Sequence, residues 1–300
     1  MKRLVVLSLL VTVGVLSIAV TAFQGDQQIE RIVEVEKVKD NLFVLKGGGG
    51  NTGVFVATDG VVVIDTKNQG WGQPVIDAIG TFTDEPVTTI INTHMHGDHT
   101  SGNVEFPATV EIVAHANTKV NMTKETGPRD ERNDIFRGEN AKFLPKQTFT
   151  DRMSLGEGGD RIDLYYFGRG HTDGDAWVVF PALRVMQASD SFSGKNPPYL
   201  DARNGASSLD YPETLARAVA TISDVDLVIS GHAGVMTWND LRAYVDFNRE
   251  LLATVTASLK SGQSVDEVAN AYSIPAKYKD YDFRYPFKDY VQVVSIQMPD

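Results

Sequence analysis

Short apolar runs separated by turn residues recur along the chain from about residue 30, and they predict β-strands. Gly47–Gly50 and Asp59-Gly60 lie between such runs, so each predicts a connection between two neighbouring strands. The predicted strands are residues 41–45, 53–57, 61–65, 87–92, 110–114, 163–167, 177–180, 183–187 and 227–230.

Segments with apolar residues at every third or fourth position alternate with these strands and predict helices. They cover residues 73–79, 116–124, 211–223 and 239–261, and Ser264 with Glu267 forms a capping-box pattern that starts one more short helix. The apolar face of 239–261 would contain Leu241, Tyr244, Val245, Leu251, Leu252, Val255 and Leu259. Strands that alternate with helices indicate a single α/β domain. Residues 237–300 are then a helical extension that packs on this domain, with a dimer contact as the open alternative.

The N-terminal segment has the composition of a targeting sequence. Lys2 and Arg3 precede an apolar stretch, and small residues at 20–22 precede polar Gln24. This order is typical of a secretory signal peptide, so we expect residues 1–22 to be removed and the protein to be exported, periplasmic or secreted. An uncleaved membrane anchor is the alternative, because a membrane helix needs about 20 apolar residues.

Composition narrows the range of partners and metal ligands. The chain has 39 acidic and 28 basic residues and a net charge of −11, so it lacks the basic character of nucleic-acid-binding proteins. It contains no cysteine, which excludes disulfides, thiolate metal sites and cysteine nucleophiles. Any metal must therefore be held by nitrogen and oxygen ligands.

One short segment concentrates such ligands. His94, His96, Asp98 and His99 directly follow the predicted strand 87–92. Side chains on a turn that leaves a strand can converge on one point, and imidazole with carboxylate is the donor set expected for zinc in the absence of sulfur. Three histidines and a carboxylate at this spacing indicate a metal site rather than a polar surface loop.

Three more potential ligands follow other predicted strands. His171, Asp190 and His232 each come just after such a strand, and glycines flank both histidines. Glycine permits a close approach of the backbone to a crowded site. Since each residue ends a strand, we expect all three to lie at one edge of a sheet.

The ordered motifs His94-x-His96-x-Asp98-His99, Gly-His171-Thr, Ser-Asp190-Ser-Phe and Ser-Gly-His232 resemble those of the metallo-β-lactamase superfamily. Asp65, in Val-Ile-Asp-Thr, matches the first motif of that family. The resemblance runs from about residue 41 to 234. It implies an αββα sandwich, in which two mixed β-sheets pack face to face with external helices, over residues 30–236.

The resemblance also implies roles for these residues. His94, His96 and His171 would hold one zinc ion, Asp98, His99 and His232 a second, and Asp190 would bridge the two. Asp65 would orient a ligand histidine from outside. With two zinc ions per chain, a metal-bound hydroxide would attack a carbonyl substrate, and Asp98 would act catalytically by transferring the proton. His115 matches no ligand position, and we predict a structural role for it.

The substrate is less well defined by the motifs. Several two-zinc β-lactamases have cysteine or serine at the position of Asp190. With aspartate there, this chain more closely resembles glyoxalase II, lactonases and the wider hydrolase branch of the superfamily. Residues 191–201 resemble a subgroup of periplasmic hydrolases. Small-molecule contacts are predicted for Lys195, Asn196 and Tyr199, and Trp71 and Arg203 are further candidates to line the groove. The loop 47–51 would border the site.

The substrate classes that remain open are a β-lactam, a lactone, and another ester or amide. A phosphodiester or small phosphoester hydrolase on the same metal pair is the main alternative. A non-catalytic, exported metal-binding accessory protein and an iron-dependent redox protein are two others. The sequence makes no prediction of the oligomeric state.

Overall fold

The computed structural model describes residues 31–124 and 131–299. In this part of the chain, two β-sheets carry the strands: a seven-stranded sheet in the order β1-β2-β3-β4-β5-β6-β7 and a six-stranded sheet in the order β13-β12-β11-β10-β9-β8. The strands are β1 (Glu34–Lys39), β2 (Leu42–Lys46), β3 (Thr52–Ala57), β4 (Gly60–Ile64), β5 (Val87–Asn92), β6 (Glu111–His115), β7 (Gln147–Phe149), β8 (Arg152–Leu155), β9 (Ile162–Tyr165), β10 (Trp177–Phe180), β11 (Val185–Ser189), β12 (Leu227–Ser230) and β13 (Val235–Thr237). The predicted signal segment, residues 1–22, lies outside the described residues.

The helices connect and cover these strands. They are α1 (Gly72–Ile79), α2 (Gly97–Thr100), α3 (Ala116–Thr123), α4 (Tyr211–Thr221), α5 (Trp238–Lys260), α6 (Val265–Ala271) and α7 (Phe287–Gln297). Short 3-10 helices occupy 101–105, 131–136, 138–143, 158–160, 181–183, 190–192, 202–204 and 276–278. Both sheets are mixed: β4, β5, β6 and β7 run parallel to one another, as do β11 and β12, and the other pairs are antiparallel.

Alternation along the strands divides the interior into layers. In β4, Ile64 packs between the two sheets, whereas Val61 and Val63 pack on the outer side beneath α1. Successive side chains of a strand point to opposite faces, so one buried strand serves two apolar clusters. Phe55 of β3 meets Phe180 of β10 with ring centroids 5.3 Å apart in the layer between the sheets. The predicted αββα sandwich of two mixed sheets is therefore confirmed.

The outer face of the second sheet is covered by the C-terminal helices. Tyr244 and Leu251 of α5 and Val294 of α7 share one apolar cluster with Trp177 of β10. The predicted apolar face of α5 points into this cluster, with Leu252 and Leu259 only partly buried at its margin. Ser264 and Glu267 cap α6, as their sequence pattern predicts, and Thr237 and Asp240 form a capping box at the start of α5.

The strand predicted at 183–187 is displaced, because β11 begins at Val185. Residues 181–183 form a 3-10 turn, and Arg184 has a left-handed backbone with φ of 56°. Among the described residues, no helix combines the length and the apolar character that a membrane crossing requires.

Candidate metal centre

The candidate ligands lie on loops where strands of both sheets end. His94 and His96 follow β5, Asp190 follows β11 and His232 follows β12, while His171 lies in the loop after β9. The backbone turns sharply after β5, because the amides of His99 and Thr100 both donate to the carbonyl of His96 and form the single turn α2. This turn brings side chains from both ends of a six-residue segment to one side.

Four side chains form the first group of potential ligands. Nδ1 of His96 lies 3.1 Å from Nε2 of His94 and 2.9 Å from Nε2 of His171. Oδ2 of Asp190 lies 3.6 Å from Nε2 of His171. One ligand atom from each of the four lies within 4.8 Å of every other, which is the separation that a shared metal ion requires.

Asp98, His99 and His232 form the second group within the same limit. Nε2 of His232 lies 3.4 Å from both Nε2 of His99 and Oδ2 of Asp98. Asp190 also reaches this group, since its Oδ2 lies 3.2 Å from Nε2 of His232 and its Oδ1 lies 3.4 Å from Nε2 of His99. Asp190 therefore lies between the two groups.

Asp65 orients the second group from behind. Its Oδ2 lies 2.7 Å from Nδ1 of His99, and the carboxylate accepts hydrogen bonds from the amide and hydroxyl of Thr93. Asp65, His94 and His99 also satisfy the distance limit for a metal. However, the oxygens of Asp65 are already used by these donors, so we assign it an orienting role. Asp65 and Ser189 have positive φ angles of 64° and 46°, and such strain concentrates at functional sites.

Burial and the neighbouring charges shift the pKa values of the candidate ligands in directions that favour cation binding. Burial and the adjacent imidazoles lower the pKa of His94 and His171, so both rings remain neutral and able to donate a lone pair. Burial alone would raise the pKa of Asp190, but His99 and His232 hold it well below its usual value. Burial would also lower the pKa of His99, yet Asp190, Asp98 and Asp65 raise it well above 6.5. A cation held by the second group would replace the proton that these carboxylates favour on His99.

Two glycines give the ligands room. A Cβ on Gly231 would overlap Oδ1 of Asp190, and a Cβ on Gly50 would overlap the ring of His99. The glycines beside His232 predicted that the backbone approaches the ligands closely there. Gly50 shows that the loop 47–51 approaches a ligand equally closely. Asn51 connects this loop to the opposite sheet, because its side-chain amide donates to the carbonyls of Ser230 and Ala233.

A family model described as "Metallo-beta-lactamase superfamily" matches residues 45–232, which is more than half of the chain. The chain belongs to the metallo-β-lactamase superfamily. Members of the superfamily usually bind metal, typically zinc, and include hydrolases such as β-lactamases and sulfatases.

Individual relatives within the superfamily are distant. The chain is 27% identical to a metallo-beta-lactamase type 2 from Elizabethkingia meningoseptica, over 76% of this chain and 89% of the relative. It is 25% identical to the 2,4-dinitroanisole O-demethylase subunit alpha of Nocardioides sp. (strain JS1661), over 85% of this chain and 74% of the relative.

Solved structures agree on the superfamily fold. A metallo-beta-lactamase from Pontibacter korlensis superposes with a TM-score of 0.60 at 19% identity, and the match covers 73% of this chain and 99% of that one. A stereoselective inverting sec-alkylsulfatase from Pseudomonas sp. gives 0.70 at 15% identity, covering 88% of this chain and 50% of that one. These similarities show the fold alone.

The predicted substrate contacts divide into two kinds. Tyr199 lies beside the first group, with its ring centroid 6.1 Å from that of His96 and 5.8 Å from that of His171. Lys195 is instead paired with Asp240 at 2.7 Å. The side chain of Asn196 is buried, and Ser193 donates to it at 3.5 Å. Within the described residues, neither Lys195 nor Asn196 hydrogen-bonds to a candidate ligand, because both are held by their own loop and by the start of α5.

Three other sequence candidates have local structural roles. The ring of Trp71 packs against Gly48, where it leaves no space for a Cβ, and so supports the loop 47–51 from behind. Arg203 is exposed, and its Nε lies 3.9 Å from Asp201. The ring of His115 accepts a hydrogen bond from the amide of Asn117 at the start of α3 and donates to the carbonyl of Thr150.

Several residues of the site were not predicted from the sequence. Asp201 contacts Nε2 of His96, and the carbonyl of Tyr199 accepts from Nδ1 of His171 at 2.7 Å. Lys67 is fully buried and donates to the carbonyls of Leu45 and Gly50 on both sides of the glycine loop. A histidine that binds a metal through one ring nitrogen usually hydrogen-bonds to a carboxylate or a carbonyl through the other. The sequence therefore implied that such partners exist, but it does not identify which of the 39 acidic residues serves as one.

Proposed function

We propose that this protein is a dinuclear zinc hydrolase of a small carbonyl substrate, such as a β-lactam, a lactone or another ester or amide. The observation that carries the proposal is the position of Asp190, which reaches both groups of potential ligands. Its Oδ1 is buried and accepts no hydrogen bond within the described residues, which fits an atom reserved for a cation.

The donor set supports zinc in particular. His94, His96 and His171 would hold one ion, Asp98, His99 and His232 the other, and Asp190 would contribute to both. Nitrogen and carboxylate donors without sulfur match zinc, and the imidazoles approach one another so closely that a shared cation accounts best for their arrangement. When bound, such ions activate water and polarise a carbonyl oxygen.

The protein's own residues divide the remaining work. Asp98 is the most exposed of the four carboxylates at the site, since 28% of its side chain is accessible, compared with 6% for Asp190 and Asp201 and none for Asp65. It therefore lies where a substrate enters and can accept or return a proton. The buried ligands His94, His99 and His171 exclude water from the floor of the site.

Metal content and turnover test the proposal together. We expect about two zinc ions per chain, together with turnover of at least one among nitrocefin, a lactone, a thioester and a 4-nitrophenyl ester. The names of the relatives add 2,4-dinitroanisole and a secondary alkyl sulfate to the panel. Turnover of bis-4-nitrophenyl phosphate alone would replace the carbonyl assignment with phosphodiester hydrolysis. Two bound metals without any turnover would favour the accessory-protein alternative.

Variants connect the activity to the site. We expect His96→Ala and His232→Ala each to lose one metal ion and at least 100-fold in kcat/KM. His115→Asn is the matched control, because His115 lies outside the site and asparagine retains a helix-capping side chain. An activity that survives His96→Ala would show that the site assignment is wrong.

We also propose that the protein is exported, on the strength of the charge and apolar pattern of residues 1–22. N-terminal sequencing of the protein from a periplasmic extract tests this. A mature chain that starts near residue 23 supports export with cleavage, whereas an intact Met1 in the membrane fraction supports the anchor.

A further inference from the structure

The segment Asp282–Tyr285, between the 3-10 helix 276–278 and α7, reaches the candidate metal centre from the C-terminal part of the chain. The amide of Asp282 donates to the carbonyl of Lys195 at 3.0 Å, in the loop that follows Asp190. Nη1 of Arg284 donates to the carbonyl of His232 at 3.4 Å. The segment therefore contacts two of the loops that supply ligands, although it lies outside the region matched by the family model.

Tyr285 continues this contact towards the first ligand group. Its ring centroid lies 5.3 Å from that of Tyr199, which in turn neighbours His96 and His171. Beside the two tyrosines is a small cavity of about 40 Å³, lined in part by Pro198 and Pro286. Tyr199 and Tyr285 form an aromatic wall beside His96 and His171, whereas Arg284 lies beside His232.

Arg284 differs from the other cations near the site in its partners. Lys195 is paired with Asp240, Arg203 lies beside Asp201, and Lys67 is buried against two carbonyls. Within the described residues, Arg284 is exposed and forms no ion pair, and its hydrogen bonds go to the carbonyl of His232 and the hydroxyl of Tyr285. Both of these hold the guanidinium in place without neutralising its charge.

We propose that Arg284 recognises an anionic group of the substrate, a carboxylate or a sulfate, while the Tyr199–Tyr285 wall contacts its apolar part. This inference rests on the proposed hydrolase function and names the class of substrate. A guanidinium held by neutral acceptors retains N–H donors for a planar or tetrahedral oxyanion, and its rigid fork favours bidentate binding. Lys195 and Arg203, which the sequence suggested as cations lining the groove, lie beside acidic residues instead.

Two esters with the same leaving group test the proposal with zinc-loaded protein. Mono-4-nitrophenyl adipate has a free carboxylate, whereas 4-nitrophenyl hexanoate has a methyl group at the corresponding end. We expect Arg284→Ala to raise KM for the adipate ester about fivefold more than for the hexanoate ester, which corresponds to about 1 kcal/mol for an exposed charge pair. Arg284→Lys should restore part of the difference, because it keeps the charge but loses the fork.

A matched control is Arg249→Ala, which removes an exposed arginine on α5 that is paired with Glu213. It should leave the ratio of the two KM values at its wild-type value. If Arg284→Ala changes KM equally for both esters, or changes neither, the assignment of Arg284 is overturned.

Calorimetry separates this inference from the proposed function. Adipate and sulfate are titrated separately into zinc-loaded wild-type and Arg284→Ala protein. If neither ester is hydrolysed, the proposal of ester hydrolysis fails, and the titrations decide about Arg284. A loss of affinity of about fivefold for either anion in the variant supports recognition and shows which oxyanion is preferred. Equal affinities in the two proteins overturn it.

Discussion

Nε2 of His96 and Oδ2 of Asp201 lie 2.9 Å apart, although 105 residues separate them in the chain. Asp201 also accepts a hydrogen bond from the side chain of Asn204. Burial opposes ionisation, but these partners lower the pKa of Asp201, so it remains a carboxylate. It therefore fixes the ring of His96 with Nδ1 directed at the other ligands.

Removal of this carboxylate should weaken metal binding. We expect Asp201→Ala to reduce zinc affinity about 10–100-fold, because His96 loses the group that sets its orientation. Asp201→Asn should have a smaller effect, since its amide oxygen can still accept the hydrogen bond. Competition with a chromophoric chelator measures the affinities. Asp224→Ala, at an exposed position, is the control, and an unchanged affinity in Asp201→Ala would contradict the assigned role.

Two neighbouring glycines provide a sharper steric test. A Cβ at Gly231 would overlap Oδ1 of Asp190, whereas a Cβ at Gly234 would meet nothing within 4 Å. We therefore expect Gly231→Ala to displace Asp190 and reduce the metal content below that of the wild type. Gly234→Ala should retain the full content. Elemental analysis after dialysis distinguishes the two, and equal metal contents would show that Asp190 does not need this space.

Lys67 makes stability depend on pH in a predictable direction. Burial, partly opposed by Asp65 and Asp98, lowers the pKa of its ammonium group to about 7 from the model-peptide value of 10.5. Between these values the unfolded chain binds more protons than the folded one, so the free energy of unfolding rises with pH. This contribution is fully present above pH 10.5 and is lost as the pH falls towards 7.

We expect the free energy of unfolding of the wild type to rise by about 2 kcal/mol more between pH 7 and pH 9 than that of Lys67→Met. Urea unfolding at both pH values measures the difference. Lys46→Met removes a partly exposed lysine paired with Glu36 and should behave like the wild type. A parallel change in wild type and Lys67→Met would mean that Lys67 keeps an ordinary pKa when folded.

The sequence predicted the elements whose pattern is locally strong. Strands β5, β10 and β12 have the predicted bounds, because each is a short apolar run between turn residues. Strands β1, β7, β8 and β13 were missed. β1 has an exposed, charged pattern, and β7 and β13 contain only three residues each. Such strands form because they pair with neighbouring strands in the sheet, and a single sequence does not show which strands pair.

Helix α7 was not predicted, although the sequence contains a pattern that indicates it. Phe287, Tyr290, Val291 and Val294 recur at helical spacing and are all buried. Arg284 and Asp201 differ in kind, because no local pattern distinguishes them from other charged loop residues. Only the packing of the C-terminal segment and of the 191–201 loop brings them to the histidines. The candidate ligands could be predicted because four of them lie in one short segment and the other three each follow a predicted strand. Of the residues that orient them, only Asp65 was predicted, from the family resemblance.

The hydroxyl oxygens of Thr93 and Ser189 lie 2.8 Å apart, and the side-chain amide of Asn51 donates to the carbonyl of Ser230 at the end of β12. Thr93 and His94 follow β5 of the seven-stranded sheet, whereas Ser189 ends β11 and His232 follows β12, both in the six-stranded sheet. If the site binds metal as proposed, a nascent chain would have no complete coordination sphere until β12 is in place, and the ions would bind only as the two sheets dock. Under the proposed function, metal content would then report whether the two sheets have docked correctly, and a misassembled chain would be inactive.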